Sequence, residues 1–277
     1  MKKLILSALL FGGVLGTASL DAQNVLDGVY IKEHSTSRRV IPYTHLREAD
    51  VMWFKRVWRV IDMREKINHP LYYPIQPIND RRSMIQVVRS AVLEGVVTAY
   101  SSLDDEFRIP MTIAEVEAIG TRVDTMFVED PETYEIVPQI VKEDFDPSAV
   151  KRYRLKEDYF FDRQKSVLDV RTIGVCPVME SYDENGEYRG DSPMFWIYYP
   201  EVRQTFANAE VYNRANDSER RTLEDIFWKR WFASYIYKEN NVYDRLISEY
   251  KEGLDALLEG KRIHEEIRDW EQDLWEY

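Results

Sequence analysis

The chain has 277 residues, a formal net charge of −12 at pH 7 and an aromatic content of 13%, with 18 tyrosines and 7 tryptophans. The acidic balance argues against binding to nucleic acid or to an anionic membrane surface. The single cysteine, Cys176, cannot form an internal disulfide and lies in an apolar run that predicts a buried, inert thiol. The aromatic surplus favours extensive contact surfaces.

The first residues have the pattern of a secretory signal peptide. Lys2 and Lys3 precede an apolar stretch over 4–16, which is too short for a stable membrane anchor, and Ala22 is a suitable cleavage point. Residues 1–22 are therefore predicted to be removed on export. No later stretch approaches 18 apolar residues, which predicts no direct insertion into a membrane.

Residues 23–43 mix a short apolar run with hydroxyl and arginine residues. This composition predicts an extended N-terminal arm that is ordered by a neighbour. Residues 44–277 are predicted to form a single α+β domain, because no composition change marks a boundary within them.

Residues 46–67 contain neither glycine nor proline, and their apolar residues recur at helical spacing. The pattern predicts a helix that ends before Pro70. Trp53, Phe54 and Trp58 are more large rings than one helix face can bury. The segment is either a core helix or a core helix that also offers an aromatic anchor to a partner.

The stretch 69–77 contains three prolines and is predicted to be a stiff extended connector, with Tyr72 and Tyr73 as contact candidates. Short helices and strands alternate after it. The predicted elements are a helix over 81–94 capped by Asn79 and Asp80, a short strand over 96–100, an extended piece over 107–111, a helix over 112–120 opened by the Thr112 and Glu115 capping box, and strands over 122–129 and 134–143 joined at Asp130-Pro131.

The region 148–199 is predicted to hold a helical turn over 148–154, a strand over 166–175 and a hairpin turn at Asn185-Gly186. The return strand, over 194–199, contains Trp196 and Tyr198. Its nearly continuous aromatic character predicts burial on both faces, or one face offered to a partner.

The last third is predicted to be helical. Helices are expected over 201–213, over 222–238 with Trp228 and Trp231 off the main apolar line, and over 243–277 with a possible break at Gly260. The seam of Ile263, Ile267, Trp270 and Leu274 is short and favours docking on this fold or on a neighbour. The expected fold is α+β and mostly helical, with short antiparallel hairpins, an aromatic-rich core and a C-terminal amphipathic helix.

Catalytic and ligand-binding motifs are missing from the sequence. There is no G-x-S-x-G elbow, phosphate loop or dinucleotide fingerprint, and His264 lacks the second histidine of a zinc helix. We therefore predict no enzyme activity, no cofactor and no metal. The candidate contacts with partners or other subunits are Trp53, Trp58, Tyr72, Tyr73, Trp196, Tyr198, Trp228 and Trp231.

Four long segments carry a family resemblance. LREADVMWFKRVWRVIDMREKINHPLYYP, EDYFFDRQKSVLDVRTIGVCPVMESYD, MFWIYYPEVRQTFANAEVYN and the stretch over 228–277 resemble gliding-motility protein GldN and its PorN relatives from the Bacteroidetes. The resemblance covers nearly the whole mature chain. It implies a periplasmic component of the type IX secretion machinery that forms a large ring under the outer membrane with a GldK/PorK-type lipoprotein.

The resemblance also implies that the inner-membrane motor of the system engages this ring, and the family supplies no catalytic residues. A subunit without its own lipid anchor needs a lipidated partner to stay at the inner face of the outer membrane. Contacts between subunits of a ring join two different faces. The alternative is a periplasmic carbohydrate- or peptidoglycan-binding protein that uses its rings as stacking platforms.

Overall fold

A computed structural model describes residues 38–274, apart from 79–80, 130–135, 184–186, 215 and 217, and gives only the backbone over 122–129 and 136–143. The predicted signal peptide, residues 23–37 of the predicted arm, the Asn79-Asp80 cap and the turns at Asp130-Pro131 and Asn185-Gly186 lie outside the described residues.

The centre of the molecule is a seven-stranded antiparallel sheet. The expectation of a mostly helical chain is therefore wrong, because the fold is a sheet-rich α+β fold. The strands of the central sheet and of two separate ribbons are, in chain order, β1 (Val51–Asp62), β2 (Ala99–Ser101), β3 (Arg122–Glu129), β4 (Ile136–Glu143), β5 (Val150–Asp162), β6 (Val167–Tyr182), β7 (Tyr188–Pro193), β8 (Phe195–Tyr198), β9 (Glu210–Val211), β10 (Arg221–Thr222) and β11 (Tyr235–Glu239).

The sheet has the strand order β11-β1-β5-β6-β8-β2, and β7 also pairs with β6. Two small ribbons, β3-β4 and β9-β10, lie outside it. The helices are α1 (His69–Tyr72), α2 (Met84–Leu93), α3 (Ile113–Ala118), α4 (Tyr199–Asn208), α5 (Leu223–Trp228) and α6 (Gly253–Asp273), with single 3₁₀ turns at Glu48–Asp50, Lys66–Asn68, Pro147–Ala149 and Ile247–Glu249.

The predicted helix over 46–67 is a strand, β1. Trp53, Val57 and Ile61 are four residues apart, and this spacing keeps side chains on one face of a helix but also on one face of a strand, whose period is two. Trp58 and Val60 point to the other face, so both faces of β1 are buried near its end. The run of aromatic and β-branched residues, which are enriched in strands, favours the strand over the helix.

Other helices of the prediction are also shorter than expected or missing. Residues 148–154 hold only the end of a 3₁₀ turn before β5 begins, and the helix predicted over 222–238 ends at Trp228 and is followed by β11. Residues 243–252 precede α6, which then continues through Gly260 without a break. The first four residues of the predicted connector form α1.

Elements defined by local capping are confirmed. Thr112 and Glu115 form the predicted capping box of α3. The helix α2 lies within the predicted range, but it begins at Met84 after Ser83, whose N–H donates to the Gln86 side chain, and not after the predicted caps Asn79 and Asp80. The backbone of β3 and β4 pairs as expected.

The thiol of Cys176 is buried, as predicted, and burial raises its pKa to about 12.

The two faces of the sheet are covered differently. On one, which we call the helix face, Tyr153 and Leu155 of β5 pack in the main core with α2, α4 and α5, and Ile263 and Ile267 of α6 join a smaller cluster. On the other, the loop face, Trp58, Cys176 and Trp196 form a cluster with Phe107 from a loop. Cross-strand neighbours share a face, so this arrangement follows from the register of β1, β5 and β6.

Candidate partner-binding surface

Two of the predicted contact residues lie together at the end of α5. Trp228 is 53% exposed and Trp231 is 38% exposed. Between them, Arg230 takes a left-handed conformation with φ of 52°, and the N–H of Trp231 donates to the carbonyl of Ile226 at 2.9 Å. The helix end therefore presents two large rings on one tight turn.

The turn is fixed to the sheet by an ion pair. The guanidinium of Arg230 donates to both carboxylate oxygens of Glu157, at 2.8 and 3.0 Å, and Glu157 is fully buried in β5. Arg59 of β1 lies 4.0 Å from the same carboxylate. A bidentate pair of this kind restricts orientation more than a single contact does, so the backbone that carries the two tryptophans is held in place.

Trp228 stacks on the ring of Tyr43, with 6.1 Å between ring centroids and 22° between planes. The guanidinium of Arg203 lies 4.0 Å from the Tyr43 ring centroid and 5.4 Å from that of Trp228. The guanidinium of Arg171, on β6, lies 5.0 Å from the Tyr43 ring centroid. Cations over aromatic faces are stabilised by the ring quadrupole. The group of Tyr43, Trp228 and Trp231 with Arg203 is called the aromatic surface below.

Arg203 is itself held by a buried carboxylate. Its Nε donates to Glu224 at 2.8 Å, and the hydroxyl of Tyr199 donates to the other oxygen of Glu224 at 2.7 Å. Burial, and then the charge of Glu224, raises the pKa of Tyr199 well above its ordinary value, so Tyr199 stays a neutral donor. Two cations also lie over the Trp231 ring: the Lys229 ammonium is 4.4 Å and the Arg221 guanidinium 4.6 Å from its centroid.

The described end of the predicted arm, residues 38–43, runs along α4 and α5 as an irregular segment. The side chain of Gln204 donates to the carbonyl of Arg38 at 2.7 Å, Arg203 donates to the carbonyl of Ile41 at 3.0 Å, and Arg38 pairs with Asp225 at 2.5 Å. Tyr43 reaches Trp228 because this segment is hydrogen-bonded to the two helices.

The other predicted contact residues lie elsewhere. Trp58 and Trp196 are only 5% and 3% exposed, so their rings are closed to a partner in this conformation. The remaining four are dispersed: Trp53 stacks on Trp270 of α6 at 4.5 Å, Tyr72 donates to the Ser148 carbonyl at 3.0 Å, and Tyr73 and Tyr198 are partly exposed at separate places. Whether any of them contacts a partner stays a prediction.

Sequence reasoning missed Tyr43, Arg203 and Glu224. A signal was present for one of them, because Tyr199 and Arg203 are four residues apart and share a face of a helix. Tyr43 and Glu224 carry no such signal, since their meeting with Arg203 depends on the packing of three segments that are distant in the chain.

Within residues 38–274 as described, no group of three or more histidine, cysteine, aspartate and glutamate side chains is arranged to hold a metal ion. In the same part of the chain, none of the helices has the length and apolarity that a membrane crossing requires.

Exposed tryptophans held rigidly by arginines are typical of surfaces that bind other proteins. The family model described as gliding motility associated protein GldN matches residues 46–276. The chain therefore belongs to the GldN family, which is a component of the gliding-motility and type IX secretion machinery. No curated protein matches the chain.

Proposed function

We propose that the chain is a non-enzymatic periplasmic subunit of the type IX secretion and gliding machinery, where it forms part of a ring with a GldK/PorK-type outer-membrane lipoprotein. The supporting observation is the aromatic surface. Trp, Tyr and Arg dominate the energetically important positions of protein interfaces. Here two tryptophans are exposed on a turn that is fixed to the sheet, and Trp228 packs beside the half-buried Tyr43 and the buried Arg203.

Rigidity matters for this role, because a surface that is already ordered loses little conformational entropy on binding. In a ring the aromatic surface meets a different face of the neighbour, either the lipoprotein or another copy of the chain. The periplasmic part of the inner-membrane motor then engages the assembled ring, and the lipoprotein holds the subunit at the outer membrane.

Co-purification with the tagged lipoprotein tests the proposal. The double variant Trp228→Ala/Trp231→Ala removes two interface tryptophans, and we expect recovery to fall at least tenfold, because single hot-spot truncations each cost about 2 kcal/mol or more. The matched control is Tyr243→Ala. Tyr243 lies in the loop before α6, and its exposed ring has the Arg245 guanidinium over its face. Unchanged recovery of the folded double variant contradicts the proposed contact.

One observation favours the carbohydrate-binding alternative. A cavity of about 230 Å³ adjoins Trp228, and Asp169, Thr172 and Arg230 provide polar groups in its wall. A ring beside a polar cleft is a suitable platform for a sugar. Sedimentation with purified peptidoglycan separates the two functions: loss of sugar binding by Trp228→Ala, with unchanged recovery of the lipoprotein, favours this alternative.

A further inference from the structure

A second cavity, of about 340 Å³, lies at the β11 edge of the sheet and is lined by none of the residues of the aromatic surface. Its floor is made of cross-strand neighbours. Val60 of β1 pairs with Tyr235 of β11 and with Arg154 of β5, so their side chains share one face of the sheet. Leu246 and Leu257, from the segment before α6 and from α6 itself, complete the wall.

Two arginines line this cavity, and they differ in their partners. Arg152 is bound to Asp191 of β7 and lies 3.6 Å from Asp62. Arg154 has no carboxylate partner within the described part of the chain and only faces the ring of Tyr237, at 5.5 Å. Buried or half-buried guanidinium groups normally pair with a carboxylate. Arg154 therefore has its donors free toward the cavity.

Two tyrosine hydroxyls add further donors. Those of Tyr235 and Tyr237 make no hydrogen bond to any residue that the structure describes, although both side chains are half-buried and line the cavity. Burial raises the pKa of each above its ordinary value, so both are neutral at physiological pH. Partly buried hydroxyls without a protein partner are suited to bind a ligand or water.

The charge and the walls select the ligand. Arg152, Arg154 and Asp191 give the lining a net charge of about +1 in a chain with a net charge of −12. A monoanion balances that charge, whereas a dianionic phosphate would bring a second negative charge toward Asp191. Val60, Val178 and Leu257 are apolar walls, and the volume is at the small end of the range of about 300–1,000 Å³ for small-molecule sites.

We propose that this cavity binds a monocarboxylate with a small apolar body, either a free organic acid or the carboxy-terminal residue of a peptide. Arg154 is the charge partner, and Tyr235 and Tyr237 donate hydrogen bonds to the carboxylate. The apolar body lies against Val178 and Leu257. The site is independent of the aromatic surface, so it stands or falls separately from the role proposed above.

Calorimetric titration of the full chain tests the site with matched probes. Hexanoate represents a free acid, N-acetyl-alanyl-leucine represents a peptide carboxy-terminus, and the amide of that dipeptide lacks only the charge. We expect at least one acid to bind at least tenfold more tightly than the amide, because a charge-assisted hydrogen bond is about twice as strong as a neutral one. The acid that binds more tightly identifies the source of the carboxylate.

Variants connect the binding to the cavity. Arg154→Gln is expected to reduce the affinity for the acid to that for the amide, while Arg268→Gln, an exposed arginine on α6 paired with Asp269, leaves it unchanged. Tyr237→Phe keeps the packing and is expected to weaken binding about two- to tenfold. Leu257→Trp, at a half-exposed position of the wall, fills the cavity without disturbing the core and is expected to block binding.

Three results overturn the proposal. The first is that neither hexanoate nor the dipeptide acid binds more tightly than the amide. The second is unchanged affinity in folded Arg154→Gln and Leu257→Trp variants. The third is no saturable binding of any acid up to about 10 mM, which is weaker than the affinity of useful small-ligand sites.

Discussion

The molecule contains two pairs of tryptophans in opposite environments. Trp58 and Trp196 are buried in the cluster on the loop face, around Cys176, while Trp228 and Trp231 are exposed at the end of α5. The sequence alone suggested the same role for all four. Residue type therefore identifies a ring with a large apolar area, but its position on a strand or on a helix end decides whether that area stabilises the fold or remains available to a partner.

The buried pair also differs in its polar contacts. The indole N–H of Trp58 donates to Asp105 at 2.5 Å, and the Lys238 ammonium lies 4.6 Å from its ring. The exposed pair also has cations over its rings, from Arg203 at Trp228 and from Lys229 at Trp231. Removal of a buried ring leaves a cavity, whereas removal of an exposed ring leaves only lost surface contacts.

Truncation of one member of each pair gives the largest expected difference. Trp196→Ala should lower the free energy of unfolding by about 3–5 kcal/mol, because it empties a fully packed site. Trp228→Ala should lower it by about 1 kcal/mol or less, since the ring is exposed and loses only its stack on Tyr43 and its contact with the Arg203 guanidinium. Urea denaturation followed by circular dichroism measures both. Similar losses for the two variants would contradict the assigned environments.

A smaller effect is expected at Gly174, which faces Trp196 of the buried pair. A methyl group at this position would lie 2.5 Å from Cζ of Phe107 and 3.2 Å from Cε3 of Trp196. Gly174→Ala should therefore displace the Phe107 ring and lower the free energy of unfolding by about 1–3 kcal/mol, as overpacking does.

The control is the double variant Gly174→Ala/Phe107→Ala. The clash disappears with the Phe107 ring, so the Gly174→Ala change should have less effect in this background than in the natural one, and a double-mutant cycle measures the difference. Strict additivity would mean that the close approach of Phe107 to Gly174 is not what excludes a side chain there.

Local chemistry was predictable from sequence. The capping box of α3 depends on Thr112 and Glu115 alone, and the seam of Ile263 and Ile267 indicated a helix that docks on the fold, as α6 does. The possible break predicted at Gly260 is wrong. Gly260 lies inside α6, where an added Cβ would be 2.4 Å from the carbonyl oxygen of Ile236, so glycine is needed for close approach to β11.

The sheet was not predictable in the same way. Arg56 of β1 pairs with Asp158 of β5, which is 102 residues further along the chain, and no local pattern specifies such a partner. The spacing of Trp53, Val57 and Ile61 fits a helix and a strand equally. The charge network of Arg59, Glu157 and Arg230 depends on the same strand register. Without the sheet, the sequence therefore contained no indication of the ion pairs that hold the aromatic surface in place.

The smallest expected difference between the exposed and the buried tryptophan pairs is their response to acid. Burial alone would raise the pKa of Asp225, but its hydrogen bond from Arg38, with that from Thr222, holds the pKa below its ordinary value. A lowered pKa in the folded state stabilises the docked segment 38–43 above the ordinary aspartate pKa of about 3.9, and this contribution is lost as the pH falls through the folded value. The segment should therefore loosen below about pH 4 and release Tyr43 from Trp228.

Fluorine NMR of fluorotryptophan-labelled protein measures this difference, with the Trp228 signal assigned from Trp228→Phe. That signal should shift below about pH 4, while the signals of Trp58 and Trp196 stay unchanged until global unfolding. Glu224 and Asp169 are the other carboxylates whose charges act on Tyr43, so Asp225→Asn is the control. It should show the shifted Trp228 signal already at neutral pH. A normal neutral-pH signal in that variant would mean that the Arg38–Asp225 pair does not hold Tyr43 against Trp228.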